Sequence, residues 1–445
     1  MSKSVKIVGG VVVIAVLAVA AYVVFVPGPM AFAGGNPVPL AQYSGQPTGV
    51  PADFPAADAV ARGRYLAQAA DCEACHTAEG GKPFAGGRPF VTVFGTIYSP
   101  NITPDAETGI GSWSDADFVR ALHRGIDKDG RHLYPAFPYA AFTYLTDQDA
   151  QAIKAYIFSL PAVHNTAPAN TLVFPFNQRG LMALWSLFYN PDKRFEPRPD
   201  RSAAWNRGAY LAEALAHCGE CHTPRTPLQA LNNRDKFGGG YAEGWRAYNL
   251  SSDKDAGIGG WSAAELQHYL QIGHTMNRGS AFGPMAQAVH LSLQNLVPSD
   301  VQAIVEYVRS VPAVSSSDLP APKLALAPAN PTVHIAADAA DPHGHDIFAR
   351  VCVGCHGWSG ENDYVPYTTL TGARAINDPT ATNVALALLR GASPLPSAGA
   401  VAQMPSFASW SDDQIAELSN YVTARFGATP SAITPEEVHK LRMAD

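Results

Sequence analysis

This 445-residue sequence predicts a mainly α fold, with three tandem small helical domains behind an N-terminal apolar helix. Three observations carry that prediction. A short cysteine motif occurs three times, at 72–76, 218–222 and 352–356. Each copy ends an amphipathic run that opens on a glycine: "GRYLAQAADCEACH" from Gly63, "GAYLAEALAHCGECH" from Gly208 and "GHDIFARVCVGCH" from Gly344. A closing helix follows each: "TDQDAQAIKAYIFSLPAV" from Thr146, "PSDVQAIVEYVRSVPAV" from Pro298 and "SDDQIAELSNYVTARFG" from Ser411. Asp, Ser or Thr at these starts makes a sensible N-cap. Repetition at fixed spacing marks the duplication of one unit.

The elements follow in order. Residues 1–33 form an apolar leader, 50–170 the first domain and 171–199 an apolar insert and linker. Residues 200–315 form the second domain, 316–335 a Pro-rich linker and 336–430 the third domain. In the first two domains the register continues past the motif: Asn101 to Trp113 and Asn249 to Trp261 are both twelve residues. The helix after each Trp is expected to end near Gly125 and Gly273.

Charged residues are 16% and hydrophobic residues 47%, the profile of a globular protein with a lightly charged surface. A net charge of −7 argues against a nucleic-acid partner. The 38 Gly and 36 Pro predict much loop around short helices.

Lys3 and Lys6 precede an uncharged run from Ile7 to Val26, which Pro27 and Pro29 end. Twenty helical residues span about 30 Å, the thickness of a bilayer core. Two readings stay open: a retained anchor, or a signal peptide cleaved after Ala31-Phe32-Ala33. The length favours the anchor, because a signal's apolar core is usually about 7–15 residues. Either way the lysines stay in the cytoplasm and the remainder is exported. The expected location is the periplasmic side of the inner membrane.

All six cysteines fall in the three motifs: Cys72, Cys75 and His76; Cys218, Cys221 and His222; Cys352, Cys355 and His356. Disulfides would not require a histidine behind each pair. Zinc wants two pairs facing one metal, and three pairs do not divide that way. C-x-x-C-H is the covalent haem c signature, in which both thiols form thioethers to the porphyrin and His takes one axial iron position. One helical turn places both sulfurs along one haem edge. Three haem c groups, on three class I-like cytochrome c domains, are expected.

A haem that transfers electrons usually has a sixth ligand, and Met raises its potential. With only seven Met in the chain the search is informative. Met285 stands twelve residues after Gly273, and Met404 thirteen after Gly391, each in a Pro-containing loop. Both are assigned as sixth ligands against the alternative of core filling; Met276 competes in the second domain. The first domain has Phe137 at the matching place, in "LYPAFPY". Its candidates are His132, with His123 as the alternative, and beyond them Met182 or a five-coordinate iron. Bis-His ligation would put this haem at a lower potential than the two Met/His haems.

Residues 171–189, "TLVFPFNQRGLMALWSLFY", hold one charge, Arg179. The plain reading is a linker packed between domains. The sharper one is an apolar face that meets the membrane, a partner subunit or a quinone.

The three C-x-x-C-H domains, "FGTIYSPNITPDAETGIGSWS" and "LYPAFPY" resemble the tri-haem cytochrome c subunits of membrane-bound periplasmic dehydrogenases of acetic acid bacteria and their relatives. The likeness covers nearly all of the chain after residue 50. It implies a subunit that takes electrons from a catalytic dehydrogenase subunit and passes them to ubiquinone. It also implies His76, His222 and His356 as proximal ligands, and Met285 and Met404 as distal ones. Alcohol and sugar-acid members usually carry Met where this chain has Phe137. With "FPFNQR", "LYPAFPY" looks closer to the branch that serves molybdopterin/[2Fe–2S] hydroxylases such as aldehyde dehydrogenase.

No P-loop, dinucleotide fingerprint or hydrolase triad occurs, so the chain is not expected to oxidise a substrate alone. The alternatives are the cytochrome subunit of a PQQ alcohol dehydrogenase or of a flavin gluconate or fructose dehydrogenase. Outside that class stand a multihaem peroxidase and a free-standing anchored cytochrome that feeds a terminal oxidase.

Overall fold

The computed structural model describes residues 9–19, 58–330, 335–392 and 403–443. Residues 9–19 are helical and exposed. The rest of the expected anchor and its cleavage site lie outside the described residues. No described helix is long and apolar enough to cross a membrane.

The described chain is mostly helical, and the repeats seen in the sequence are repeats of structure. In each, a helix leading into the cysteine motif crosses the closing helix. The pairs are Ala59–Ala69 with Asp147–Ser159, Ala203–Tyr210 with Pro298–Arg309, and Pro342–Ile347 with Asp412–Phe426. The glycines that open the motif runs are the crossing points. A Cβ on Gly63 would lie 1.8 Å from the Ala152 carbonyl oxygen, and one on Gly208 1.9 Å from that of Ala303. One on Gly344 would lie 2.6 Å from the Tyr421 Cβ. Without a side chain the backbones approach closely enough to pack.

The second motif run has one residue more than the first. A π turn lies in that run at Leu211–Leu215, and another in the shorter third run at Phe348–Cys352. Ser114 and Ser262 cap the post-Trp helices Asp115–Arg124 and Ala263–Ile272 with capping boxes, and Gly125 (φ 62°) and Gly273 (φ 76°) end them in the left-handed region. Thr146 and Ser411 cap their closing helices through their side chains. The second closing helix has no side-chain cap and begins on Pro298.

Two features exceed the expectation. Short antiparallel hairpins follow the first two motifs, Pro89–Thr92 with Gly95–Tyr98 and Gly240–Ala242 with Trp245–Ala247. The third repeat also runs on past residue 430. The helix Pro435–Arg442 buries Val438 in that repeat's core, and Arg442 Nε donates to Asp412 at 2.9 Å.

The first two repeats share one hydrophobic core and meet through reciprocal hydrogen bonds. Tyr65 of the first donates to Asp300 of the second at 2.6 Å, and Tyr210 of the second donates to Asp149 of the first at 2.6 Å. Each aspartate also holds an arginine of its own repeat, Arg207 on Asp300 (Nε, 2.8 Å) and Arg62 on Asp149 (Nε, 3.0 Å). The same residue types at the same places in both partners make this a pseudo-twofold, isologous contact. The third repeat carries Asp346 and Gln414 at the Tyr and Asp places and docks differently. Asn383 brackets the Arg246 peptide, accepting from its N–H at 2.8 Å and donating to its carbonyl at 2.9 Å. Arg246 itself pairs with the fully buried Asp378 at 3.0 Å.

Candidate haem sites

The motif histidines are set by one device, used three times. His76 Nδ1 donates to the Pro100 carbonyl at 2.8 Å, His222 Nδ1 to that of Tyr248 at 2.6 Å, and His356 Nδ1 to that of Thr368 at 2.6 Å. Such a bond fixes the tautomer with the proton on Nδ1 and leaves the Nε2 lone pair for a metal. Burial holds all three imidazoles below the ordinary histidine range, so they stay neutral.

The asparagine that opens each "N…GSW" or "N…GGW" stretch supports that device. Asn101 follows Pro100 and ties the loop to the exit of the closing helix, donating to the Val163 carbonyl at 2.7 Å. Asn249 follows Tyr248 and does the same to Val314 at 2.6 Å. The spacing legible in the sequence thus fixes the loop that presents the histidine's acceptor.

None of the six cysteines is paired in a disulfide. Burial pushes Cys72, Cys75, Cys218 and Cys352 up to about 12 and Cys221 to about 11. Among the described residues no cluster of three or more His, Cys, Asp or Glu could hold a bare metal ion.

One cleft of about 2480 Å³ runs through the repeats, more than twice the upper end of an ordinary small-ligand pocket, about 1,000 Å³. Cys75 lines it from the first repeat, Cys218, Cys221, His222 and Met285 from the second, and Cys352, His356 and Met404 from the third. Apolar walls with thiols and an imidazole on one side and a thioether in the lining suit a large flat macrocycle. Arg88, Arg246, Arg278 and Arg374 on the rim suit its carboxylates.

Met285 lies in the helix Gly283–Leu291, half-buried against the core. Met404 sits in an isolated bridge with Ala392, with both N–H···O bonds at 3.0 Å. Met276 is exposed and does not line the cleft. Phe137 keeps the register of Met285 but not its setting: it lies in a turn before the helix Tyr139–Phe142 and does not line the cleft. Leu133 donates to the Gly125 carbonyl and Ala281 to that of Gly273, each at 2.7 Å, which puts the two loops in one register.

His123 is turned away from the cleft. Its Nδ1 lies 3.6 Å from Asp147 at the start of the closing helix, and its Nε2 is buried without a hydrogen-bond partner. Its register mate, Gln271, does not line the cleft either, whereas the neighbours of that mate, Tyr269 and Leu270, do. His132 lies half-buried in a bridge with Ile126, and Arg179 Nη1 donates to its carbonyl at 3.0 Å.

The insert forms the helix Gly180–Tyr189. Its inner face rests on the first repeat through Trp185 on Tyr139 (ring centroids 5.8 Å), and Trp185 Nε1 donates to the Leu228 carbonyl of the second at 2.8 Å. The outer face is bare: Leu187 is 74% exposed, beside Phe174 at 79%, whereas Leu184 lines the cleft. The reading as a segment packed between repeats describes the inner face.

The cytochrome c family model matches residues 60–161 and 343–425. The chain is 41% identical over 376 residues to a nicotinate dehydrogenase subunit of Pseudomonas putida, covering 83% of this chain and 30% of that protein. It is 36% identical to the fructose dehydrogenase cytochrome subunit of Gluconobacter japonicus, covering 86% of this chain and 82% of that one. It is also 36% identical to the gluconate 2-dehydrogenase cytochrome c subunit of Pantoea cypripedii, covering 88% of this chain and 91% of that one. The chain spans less than a third of the length of the nicotinate dehydrogenase protein.

Proposed function

Because this chain belongs to the cytochrome c subunits of multi-subunit dehydrogenases, we propose that it relays electrons through three haem c groups, from a catalytic subunit to ubiquinone. The observation that carries the reading is the thrice-repeated Nδ1–carbonyl bond behind Cys-x-x-Cys-His. Cys72 and Cys75, Cys218 and Cys221, and Cys352 and Cys355 attach the three groups. His76, His222 and His356 supply the proximal nitrogens, and Met285 and Met404 the second ligands of the second and third irons. When bound, the haem irons supply one-electron redox chemistry. This chain's residues orient the imidazoles, wall out water and hold the repeats at fixed spacing.

The catalytic partner is proposed to be a molybdopterin/[2Fe–2S] enzyme that oxidises an aldehyde or an N-heterocycle. The identity to a nicotinate dehydrogenase protein supports that choice.

The haem count is tested by the pyridine haemochrome assay on protein from a host able to mature cytochromes c. Three haems per chain are expected, and two after joint replacement Cys352→Ser and Cys355→Ser. A wild-type value below three refutes the count.

Location at the inner membrane is part of the proposal, with residues 1–33 as anchor and the outer face of Gly180–Tyr189 resting on the lipid. The bare Phe174 and Leu187 support this contact. Burying one leucine is worth about 1.5–3 kcal/mol, and every 1.4 kcal/mol is about tenfold in affinity. Phe174→Ser with Leu187→Ser, in protein cleaved free of residues 1–33, is therefore expected to weaken binding to phosphatidylglycerol-containing vesicles at least about tenfold. Equal binding at an unchanged haem count removes the lipid contact.

A further inference from the structure

We infer, on the haem attachment proposed above, that Met182 is the second ligand of the iron held through Cys72, Cys75 and His76. Among the described residues three methionines line the cleft, Met182, Met285 and Met404, and the chain has three attachment motifs. Met276 and Met443 do not line it. Met285 and Met404 belong to the second and third sites, which leaves Met182 for the first. The first repeat has no methionine of its own: Phe137 keeps the register of Met285 but packs on Phe142, with ring centroids 5.5 Å apart. A phenyl ring has no lone pair to offer iron, whereas a thioether does.

The insert carries Met182 to the first repeat. Its leading segment is tied to the hairpin that follows the first motif. Thr171 N–H donates to the Thr96 carbonyl and Val173 N–H to that of Phe94, each at 2.9 Å, and the Phe94 and Phe176 ring centroids are 4.0 Å apart. Its helix is tied to the loop that holds the Met285 register. Arg179 Nη1 donates to the His132 carbonyl at 3.0 Å, its guanidinium lies 4.7 Å from the Tyr134 ring centre, and Trp185 rests on Tyr139. Three-residue steps put Arg179, Met182 and Trp185 on neighbouring positions of one helix side, so both contacts frame Met182. Cys75 lines the same cleft from the motif, and Tyr134 and Ala136 line it from the loop. His123 and His132 do not line it. His217 does, edge-on to Phe142 at 5.5 Å, and is the competing ligand. A thioether keeps the first haem near the potential of the other two, and an imidazole would lower it.

The test uses the complete holoprotein. Near-infrared magnetic circular dichroism of the oxidised protein counts His/Met haems, and three per chain are expected. Ligation by His217 would give two. Met182→Leu keeps an apolar side chain of similar volume. It is expected to remove one of the three signals and to let one carbon monoxide bind per chain after reduction with dithionite, where the wild type binds none. Met182→His is expected to abolish that uptake and to lower the midpoint potential of one haem. Two His/Met haems in the wild type overturn the inference, as does an unchanged count in Met182→Leu. A haemochrome count of three in each sample shows that the attachment reading stands even when the inference fails.

Discussion

Asp300→Ala is expected to lower the free energy of unfolding by about 3–5 kcal/mol. Asp300 is 1% exposed and accepts three hydrogen bonds: from Arg207 Nε at 2.8 Å and Nη2 at 2.7 Å, and from Tyr65 of the neighbouring repeat at 2.6 Å. Removing the carboxylate takes the bidentate counter-charge from a guanidinium that is itself 6% exposed. An uncompensated buried charge costs far more than the pair gains by forming. Tyr65→Phe is the informative companion. It removes two cross-repeat bonds, the one to Asp300 and the one from the Val297 N–H at 3.2 Å, and leaves the ion pair intact, so about 1–3 kcal/mol is expected. Guanidinium denaturation of the holoprotein, followed by far-ultraviolet circular dichroism, measures both. A loss under about 1 kcal/mol for Asp300→Ala would show that water or another cation partner takes over the site.

Gly208→Ala is expected to cost about 1–3 kcal/mol, or more where the backbone cannot yield. The added carbon would lie 1.9 Å from the Ala303 carbonyl oxygen and 2.9 Å from the Tyr307 Cβ. Backbone cannot rotate aside as the end of a flexible side chain can, so the two helices must part. The displaced helix leads directly into Cys218 and Cys221, so haem incorporation at the second site is expected to fall as well. Gly180→Ala is the control, because nothing lies within 4 Å of a Cβ there. Its effect should stay within about 0.5 kcal/mol. Equal stability of Gly208→Ala and the wild type would refute the close crossing.

The two variants probe different kinds of information. Gly208 is legible in the sequence, because it opens a run that recurs from Gly63 and Gly344. Asp300 is not. On its helix it reads as an ordinary first-turn acid, and nothing local marks it as the acceptor for a tyrosine 235 residues away. The same division runs through the haem sites. The cysteine–histidine motifs, the Asn-to-Trp spacing and the loss of Met at Phe137 are all written in short stretches. The carbonyls that orient the histidines are main-chain atoms of Pro100, Tyr248 and Thr368 and have no residue signature. The turning away of His123 depends on which side of a packed helix it occupies. The helix Pro435–Arg442 leaves little trace in the sequence because its apolar stripe is thin, with Val438 alone fully buried.

The sequence by itself determined the motif-leading and closing helices, the Thr146 and Ser411 caps, the thrice-repeated Cys-x-x-Cys-His motif and the membership in cytochrome c subunits. These depend on interactions between residues a few positions apart, which periodicity and spacing record. Tertiary structure alone decided that two repeats meet about a pseudo-twofold axis, that the third docks through Arg246, Asn383 and Asp378, and that one cleft runs past all three motifs. Those outcomes depend on which surfaces fit one another after the helices form, and no local pattern in the chain encodes that fit.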